Sequence, residues 1–310
     1  MKEKEYVLSL SYGKDSLACL GAIKELGWPL DRIIHAEIWA TDDIPADLPP
    51  MIEFKSKADA WILENFGIEV EHVCAMTTFE RTFYRKFASG SKTGEIYGFP
   101  MVRGAWCNDR LKTAALDATK KVTYEDIFYT TNKSGKREGQ IYGWPFRECS
   151  MVQRDSEISR SAERSERRER ERVSYVGIAL DEPKRLARLD GVTKISPLAA
   201  IGWTEEDAKQ WCIENDLLSP IYTTSTRGGC WFCHNQSVDQ LRILRKTYPE
   251  LWAIMLKWDA DSPVSFKPNG HTVHDFDRRF ELEDSGLLVP GDKRFKWRML
   301  DELESKQESG

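Results

Sequence analysis

The sequence predicts an α/β protein: a parallel, Rossmann-like sheet followed by a helical C-terminal portion. Two observations carry that expectation. Short apolar runs alternate with segments of helical period over the first 75 residues. Alternation of this kind implies right-handed βαβ crossovers and a doubly wound sheet. The chain is also 310 residues long, with 41% hydrophobic and 31% charged residues. That suits a soluble globular protein of one large or two modest domains.

The elements follow in order. Residues 5–11 (EYVLSLS) read as a buried strand, and 14–26 (KDSLACLGAIKEL) as a helix stopped by Gly27. Residues 32–40 form a second strand. The Pro- and Asp-rich stretch TDDIPADLPP is a loop. Residues 51–66 form a helix ending before Gly67, and 68–75 a third strand. Residues 76–93 are amphipathic and aromatic, and 107–121 are expected to be helical. Residues 124–131 and 173–180 are further strand candidates. Pro183 suits an early helical position, where its missing N–H costs little. Thr204 and Asp207 suit a capping box. Residues 238–258 read as a helical pair broken at Pro249.

Residues 132–172 stand apart as a charged insert. Between 153 and 172 there are seven Arg against six Asp plus Glu. Interleaved acids favour a solvated helix or a disordered insert over a phosphate-binding arm. The predicted organisation is a domain over 1–235 carrying this insert, then a helical extension over 236–310. A short echo, GEIYGFP at 94–100 and GQIYGWP at 139–145, precedes Cys107 and Cys149 respectively.

Net charge is −5. This excludes a globally basic nucleic-acid surface, though not a local patch. Nucleic acid therefore stays open as a partner without support from charge. No apolar run approaches the length of a membrane span, and the N-terminus does not read as a signal peptide. The expected location is a reducing cytoplasm, so the seven cysteines are expected as thiols or metal ligands.

The strongest motif is Ser11-Tyr12-Gly13-Lys14-Asp15-Ser16, between a strand and a helix. A glycine lets backbone approach an anion. The helix N-terminus supplies N–H groups and a positive dipole end. Ser11 and Ser16 add hydroxyls, and Lys14 adds a cation. The Walker A spacing is absent.

SYGKDS resembles the SGGKDS PP-loop of the ATP pyrophosphatase and PAPS (3′-phosphoadenylyl sulfate) reductase superfamily. Three further segments match in order. Gly177–Glu182 with Arg185 and Arg188 is similar to G-I-R-x-D-E-S-x-x-R. Ser196-Pro197-Leu198 with Gly202–Asp207 is similar to P-L-x-x-W-T-x-x-D. Leu218–Tyr222 with Gly229–Cys233 is similar to P-L-Y…G-C-x-x-C. The resemblance covers roughly 5–131 and 173–235. It implies an adenine nucleotide alpha hydrolase-like fold and an enzyme of sulfur or adenylyl chemistry using ATP or PAPS. Tyr12 replaces the usual middle glycine, either lying over the nucleotide or narrowing the turn. The PAPS reductases also use a tail cysteine nucleophile. Here no cysteine follows Cys233 over 77 residues, which sets the reductase mechanism in doubt. ATP-driven adenylation or thiolation of a nucleic acid or small molecule is the alternative enzyme. A non-catalytic nucleotide-binding module is the alternative of another class. The sulfur donor or acceptor is not readable.

Within that resemblance, nucleotide phosphates would sit on residues 11–16, with Lys14, Asp15 and Arg185 as catalytic candidates. Asp15 would help hold Mg²⁺ through oxygen. Asp42, after the second strand, would reach ribose or Mg²⁺, or be a turn aspartate. Arg185 and Arg188 would clamp a phosphate or sulfate, and Arg110 and Lys112 would serve similarly. Cys19, Cys74 and Cys212 are expected in the core. Cys230-x-x-Cys233 is a metal half-site by spacing, with Cys107 the best third ligand and Cys149, His234 or none as fourth. A [4Fe–4S] cluster, structural Zn²⁺, or unliganded thiols are the three readings. His271 and His274 fit a polar surface better than a metal.

Overall fold

The computed structural model describes residues 4–100, 105–119, 150–151, 171–223, 229–292 and 294–300. Six strands form one sheet: β1 (Lys4–Ser9), β2 (Arg32–Glu37), β3 (Val70–Cys74), β4 (Ser150–Met151), β5 (Glu171–Tyr175) and β6 (Lys194–Ile195). Their order is β4-β3-β2-β1-β5-β6, and each pairing is parallel. The chain steps outward from β1 to β4, then returns to place β5 on the other side of β1. That reversal makes the β1/β5 crevice a topological switch point, where open α/β sheets bind ligands. The architecture is α/β and compatible with a Rossmann-like fold.

Each early element forms for the reason its sequence gives. Helix α1 (Lys14–Leu26) ends at Gly27, φ 62°, and α2 (Pro49–Phe66) ends at Gly67, φ 66°. Glycine takes the left-handed conformation without a Cβ penalty. Alternate residues of β1 enter different cores. Leu8 packs with Leu17, Leu20 and Ile23 of α1 and with Phe54 and Ile62 of α2. Val7 packs on the opposite face with Ile34, Val73 and Ala115. Both faces are thus covered, as a parallel sheet requires.

The remaining helices are α3 (Phe79–Phe83), α4 (Ala114–Ala118), α5 (Pro183–Leu186), α6 (Pro197–Ile201), α7 (Glu205–Glu214), α8 (Val238–Thr247), α9 (Pro249–Asp261) and α10 (Val273–Asp284). Asn108–Thr113 precedes α4 as a π-helical turn, so the helix expected over 107–121 is wider-wound in its first half. The predicted capping box at Thr204 and Asp207 forms. Helix α7 lies against α1, where Trp211 meets Gly21 so closely that a Cβ there would overlap the indole.

Ions cover the N-terminal edge of the sheet. Arg32 reaches Glu71 at 2.6 and 2.7 Å and Glu5 at 3.1 Å. Arg172 reaches Glu5 at 3.0 Å and the carbonyl of Thr119 at 2.9 Å. Burial alone would raise the Glu5 pKa, but the two guanidinium groups outweigh it and hold it below its usual value.

The chain divides into two compact units, Met1–Phe79 with Cys107–Cys230, and Glu80–Trp106 with Trp231–Gly310. Residues 80–106 therefore join the C-terminal helices. The boundary expected after 235 falls between Cys230 and Trp231, inside the C-x-x-C motif. In the second unit Trp231 stacks on Trp258 at 5.6 Å, and Phe83, Phe99 and Phe266 extend the aromatic cluster. Helices α8 and α9 flank the expected break at Pro249. Arg242 on α8 binds Glu283 on α10 at 2.5 Å, and Arg245 binds Asp277 at 2.7 Å.

Strand β4 and the start of β5 both fall in the stretch read as an insert, so Ser150–Met151 and Glu171–Arg172 belong to the sheet. The strand candidate at 124–131 and the rest of the insert lie outside the described residues. So does Cys149.

Candidate phosphate-loop site

The site is built where β1 ends. Tyr12, not Gly13, takes the left-handed conformation, with φ 55°. Gly13 sits at φ −78°, ψ 156°, which any residue adopts. Its backbone angles therefore do not require glycine. Ser16 ties the loop together. Its hydroxyl donates to the Gly13 carbonyl at 3.0 Å, accepts from the Ser11 amide at 3.1 Å, and meets the Ser11 hydroxyl at 3.0 Å. Ser16 was expected to donate to an anion; its proton is instead spent inside the loop. Ser11 is exposed. Gly177, just past β5, backs the loop: a Cβ there would lie 2.7 Å from Asp15 C and Ser16 N.

The amides that matter are at the start of α1. Lys14 N–H donates to the Tyr222 hydroxyl at 3.1 Å. Among the described residues the N–H groups of Asp15 and Ser16 meet no acceptor. They are two of the orphan donors of a helix N-terminus, at its positive dipole end. Lys14 Nζ contacts Asp15 at 2.6 Å and Glu205 at 3.5 Å. Burial lowers the Lys14 pKa, but these carboxylates more than offset it, and the net shift is upward. Lys14 is therefore a fixed cation.

Around the loop lies a cavity of about 1120 Å³. Lys14, Lys112, Arg185 and Arg188 line it, as do Glu182, Glu205 and Cys230. Arg185 is committed to Glu182 at 2.6 Å. Lys112 and Arg188 have no ion-pair partner among the described residues. Both expected arginines thus reach the site, and Lys112 joins them. Arg110 does not line the cavity. Asp42 does not either: it is exposed on the Thr41–Ile44 turn, and Asp47 takes the place on the wall.

Tyr12 does neither of the two things expected of it. Its side chain is 1% exposed and turns beneath the loop. Its hydroxyl donates to Asp59 and meets His72 Nε2 at 3.2 Å. His72 also binds Asp59 at 3.0 Å and Glu37 at 3.0 Å. His35 donates from Nδ1 to the Leu10 carbonyl at 2.8 Å, leaving Nε2 to accept from Lys55 at 2.7 Å. Lys55 also pairs with Asp47. Burial, then Lys55, keep His35 well below the ordinary imidazole pKa, so it is neutral. Burial would lower His72 too, but bonds to Asp59 and Glu37 raise it. Sequence reading missed this network. Its only signal was tyrosine in place of glycine, together with polar residues inside helix and strand patterns.

The cysteines divide differently from expectation. Cys19 and Cys212 are buried thiols, as expected. Cys212 also donates to the Lys14 carbonyl at 3.3 Å, bracing the loop, and burial pushes its pKa up to about 12. Cys74 is buried in the core, as expected, but it is disulfide-bonded and not a thiol, and its partner lies outside the described residues. Cys107, Cys230 and Cys233 are part-buried and not in disulfides. Cys107 and Cys230 fall in the first unit and Cys233 in the second. Among the described residues, two groups have three ligand atoms close enough for one ion: His35, Glu37 and His72, and Asp15, Glu182 and Glu205. Neither contains a cysteine. His271 stacks on Trp297 at 4.0 Å, while His274 binds Asp259 at 2.6 Å, so the two histidines serve separate partners.

No family model, curated protein or solved structure matches this chain. The site is therefore read from its own geometry. Among the described residues, no helix is long and apolar enough to cross a membrane.

Proposed function

We propose that the protein binds an adenine nucleotide, ATP or PAPS, by its phosphate groups on residues 11–16, as an enzyme of the PP-loop superfamily with the adenine nucleotide alpha hydrolase-like fold. One observation carries this reading. Two open amides at a helix N-terminus, a fixed lysine, and the uncommitted cations Lys112 and Arg188 share one cavity at the switch point of a parallel sheet. That is an anion seat with room for a nucleotide beyond it.

The residues divide the work by position. The Asp15 and Ser16 amides hold phosphate oxygens. Lys14 neutralises charge as it builds on them, and Lys112 and Arg188 orient the distal group. Stabilisation of phosphoryl or adenylyl transfer is mostly electrostatic and positional, so this set suffices without a covalent nucleophile. The carboxylates of Asp15, Glu182 and Glu205 are an oxygen donor set of the kind Mg²⁺ takes. Bound there, the ion would screen the charge of a polyphosphate. That trio favours ATP-driven adenylation over sulfonucleotide reduction, which needs no polyphosphate clamp. No step uses a metal on Cys107, Cys230 and Cys233. A cluster or Zn²⁺ on those thiols stays a proposal, tested by metal analysis of anaerobically purified protein.

A turnover screen separates the possibilities. Pyrophosphate released from ATP with an acceptor supports adenylation, and sulfite released from PAPS supports reduction. Tight binding of either without turnover supports a nucleotide-binding module.

A further inference from the structure

Helix α1 has an N-cap, Gly13, with no side chain to offer. Its first amide is capped from 208 residues away, by the Tyr222 hydroxyl at 3.1 Å from Lys14 N. Tyr222 sits on the short turn Pro220–Thr223 and lines the cavity. Its oxygen would lie 3.4 Å from a Cβ placed on Gly13, so the phenol stands directly over the loop.

A phenol oxygen that accepts one N–H still has a proton to give. Among the described residues nothing accepts it: the bond from Lys14 N is the hydroxyl's one hydrogen bond there. The phenol is part-buried and stands at the same helix N-terminus as the Asp15 and Ser16 amides, which likewise meet no acceptor among the described residues. These three donors, the phenol and the two amides, suit one acceptor with several lone pairs and negative charge.

We propose that Tyr222 is a ligand-contacting residue, donating its phenolic proton to the tetrahedral oxyanion seated on the Asp15 and Ser16 amides while its oxygen keeps the Lys14 amide capped. This rests on reading residues 11–16 as an anion loop. Phosphate and sulfate groups share the chemistry required. Burial raises the Tyr222 pKa, with Asp15 adding to it, so the phenol keeps its proton throughout the neutral range.

The test is calorimetric titration of the full chain with pyrophosphate and, separately, with sulfate. Wild type, Tyr222→Phe and Lys14→Ala are compared. Loss of a hydrogen bond to a charged group should weaken binding by Tyr222→Phe about 10- to 100-fold. Loss confined to pyrophosphate assigns the seat to a phosphate, and loss confined to sulfate assigns it to a sulfate. If Tyr222→Phe matches wild type for both anions while Lys14→Ala is impaired, the inference fails and the loop reading stands. If Lys14→Ala also matches wild type, the loop reading falls and takes the inference with it. A second readout needs no variant: saturating pyrophosphate should perturb tyrosine absorbance in wild type. An unchanged tyrosine spectrum at saturation overturns the contact.

Discussion

Gly13 and Tyr12 exchange the roles their names suggest. The left-handed residue is the tyrosine, and the glycine has angles that any residue adopts. Gly13→Ala should therefore fold with a melting temperature within a degree or two of wild type. The new methyl meets only ordinary contacts at 3.4 and 3.5 Å. It would nonetheless crowd the anion seat, so pyrophosphate affinity should fall; equal affinity would show that the seat lies elsewhere. His72 gives a pH prediction. Its folded pKa is raised, so its contribution is fully present below the ordinary value of about 6.5 and is lost as pH rises through the folded value. The melting-temperature gap between wild type and His72→Gln should be widest in mild acid and narrow towards alkaline pH. A gap independent of pH would mean that the ring packs without carrying charge.

At the scale of elements, two glycines join secondary structure to the site. Gly177 leaves β5 where a Cβ would overlap the backbone at Asp15 and Ser16. Gly177→Ala should displace the loop and cost both stability and anion affinity. Gly21→Ala should cost stability alone, by about 1–3 kcal/mol, because it drives Trp211 out of place. Denaturant unfolding beside pyrophosphate titration distinguishes the two. Much at this scale was legible in the chain. Helical period and terminal glycines gave α1 and α2, and Thr204 with Asp207 gave the start of α7. The two-residue strands β4 and β6 were not legible, since so short an edge has no period. Helix α10 falls within the helical extension expected over 236–310, and its start is a capping box from Thr272 to Asp275 that was not singled out.

At the scale of the whole molecule, a parallel α/β sheet follows from alternation early in the sequence, but the strand order and the division of the chain do not. Segment 80–106 joins the C-terminal helices through contacts distant in sequence: Tyr84 to Asp261 at 2.6 Å, Trp258 to Glu80 at 3.1 Å, and the Phe99 amide to Ser262 at 3.2 Å. Local pattern carries no signal for such pairings. The candidate site was legible in part for the same reason. The loop motif, Arg185 with Arg188, and Lys112 lie in local patterns, whereas Tyr222 and the Tyr12 network reach the loop only through the fold. The net charge of −5 conceals a cavity with two uncommitted cations. Lys112→Ala with Arg188→Ala should weaken ATP binding and flatten its dependence on salt, since exposed charges are screened. An unchanged salt slope would remove them from the site.

The central claim is that residues 11–16 hold nucleotide phosphates, and equilibrium binding of ATP to the full chain tests it most directly. Wild type should bind ATP, and Lys14→Ala, with unchanged circular dichroism, should lose at least about 100-fold in affinity, as expected for removing a buried charge that contacts a phosphate. Equal ATP affinity in the two proteins would contradict the account.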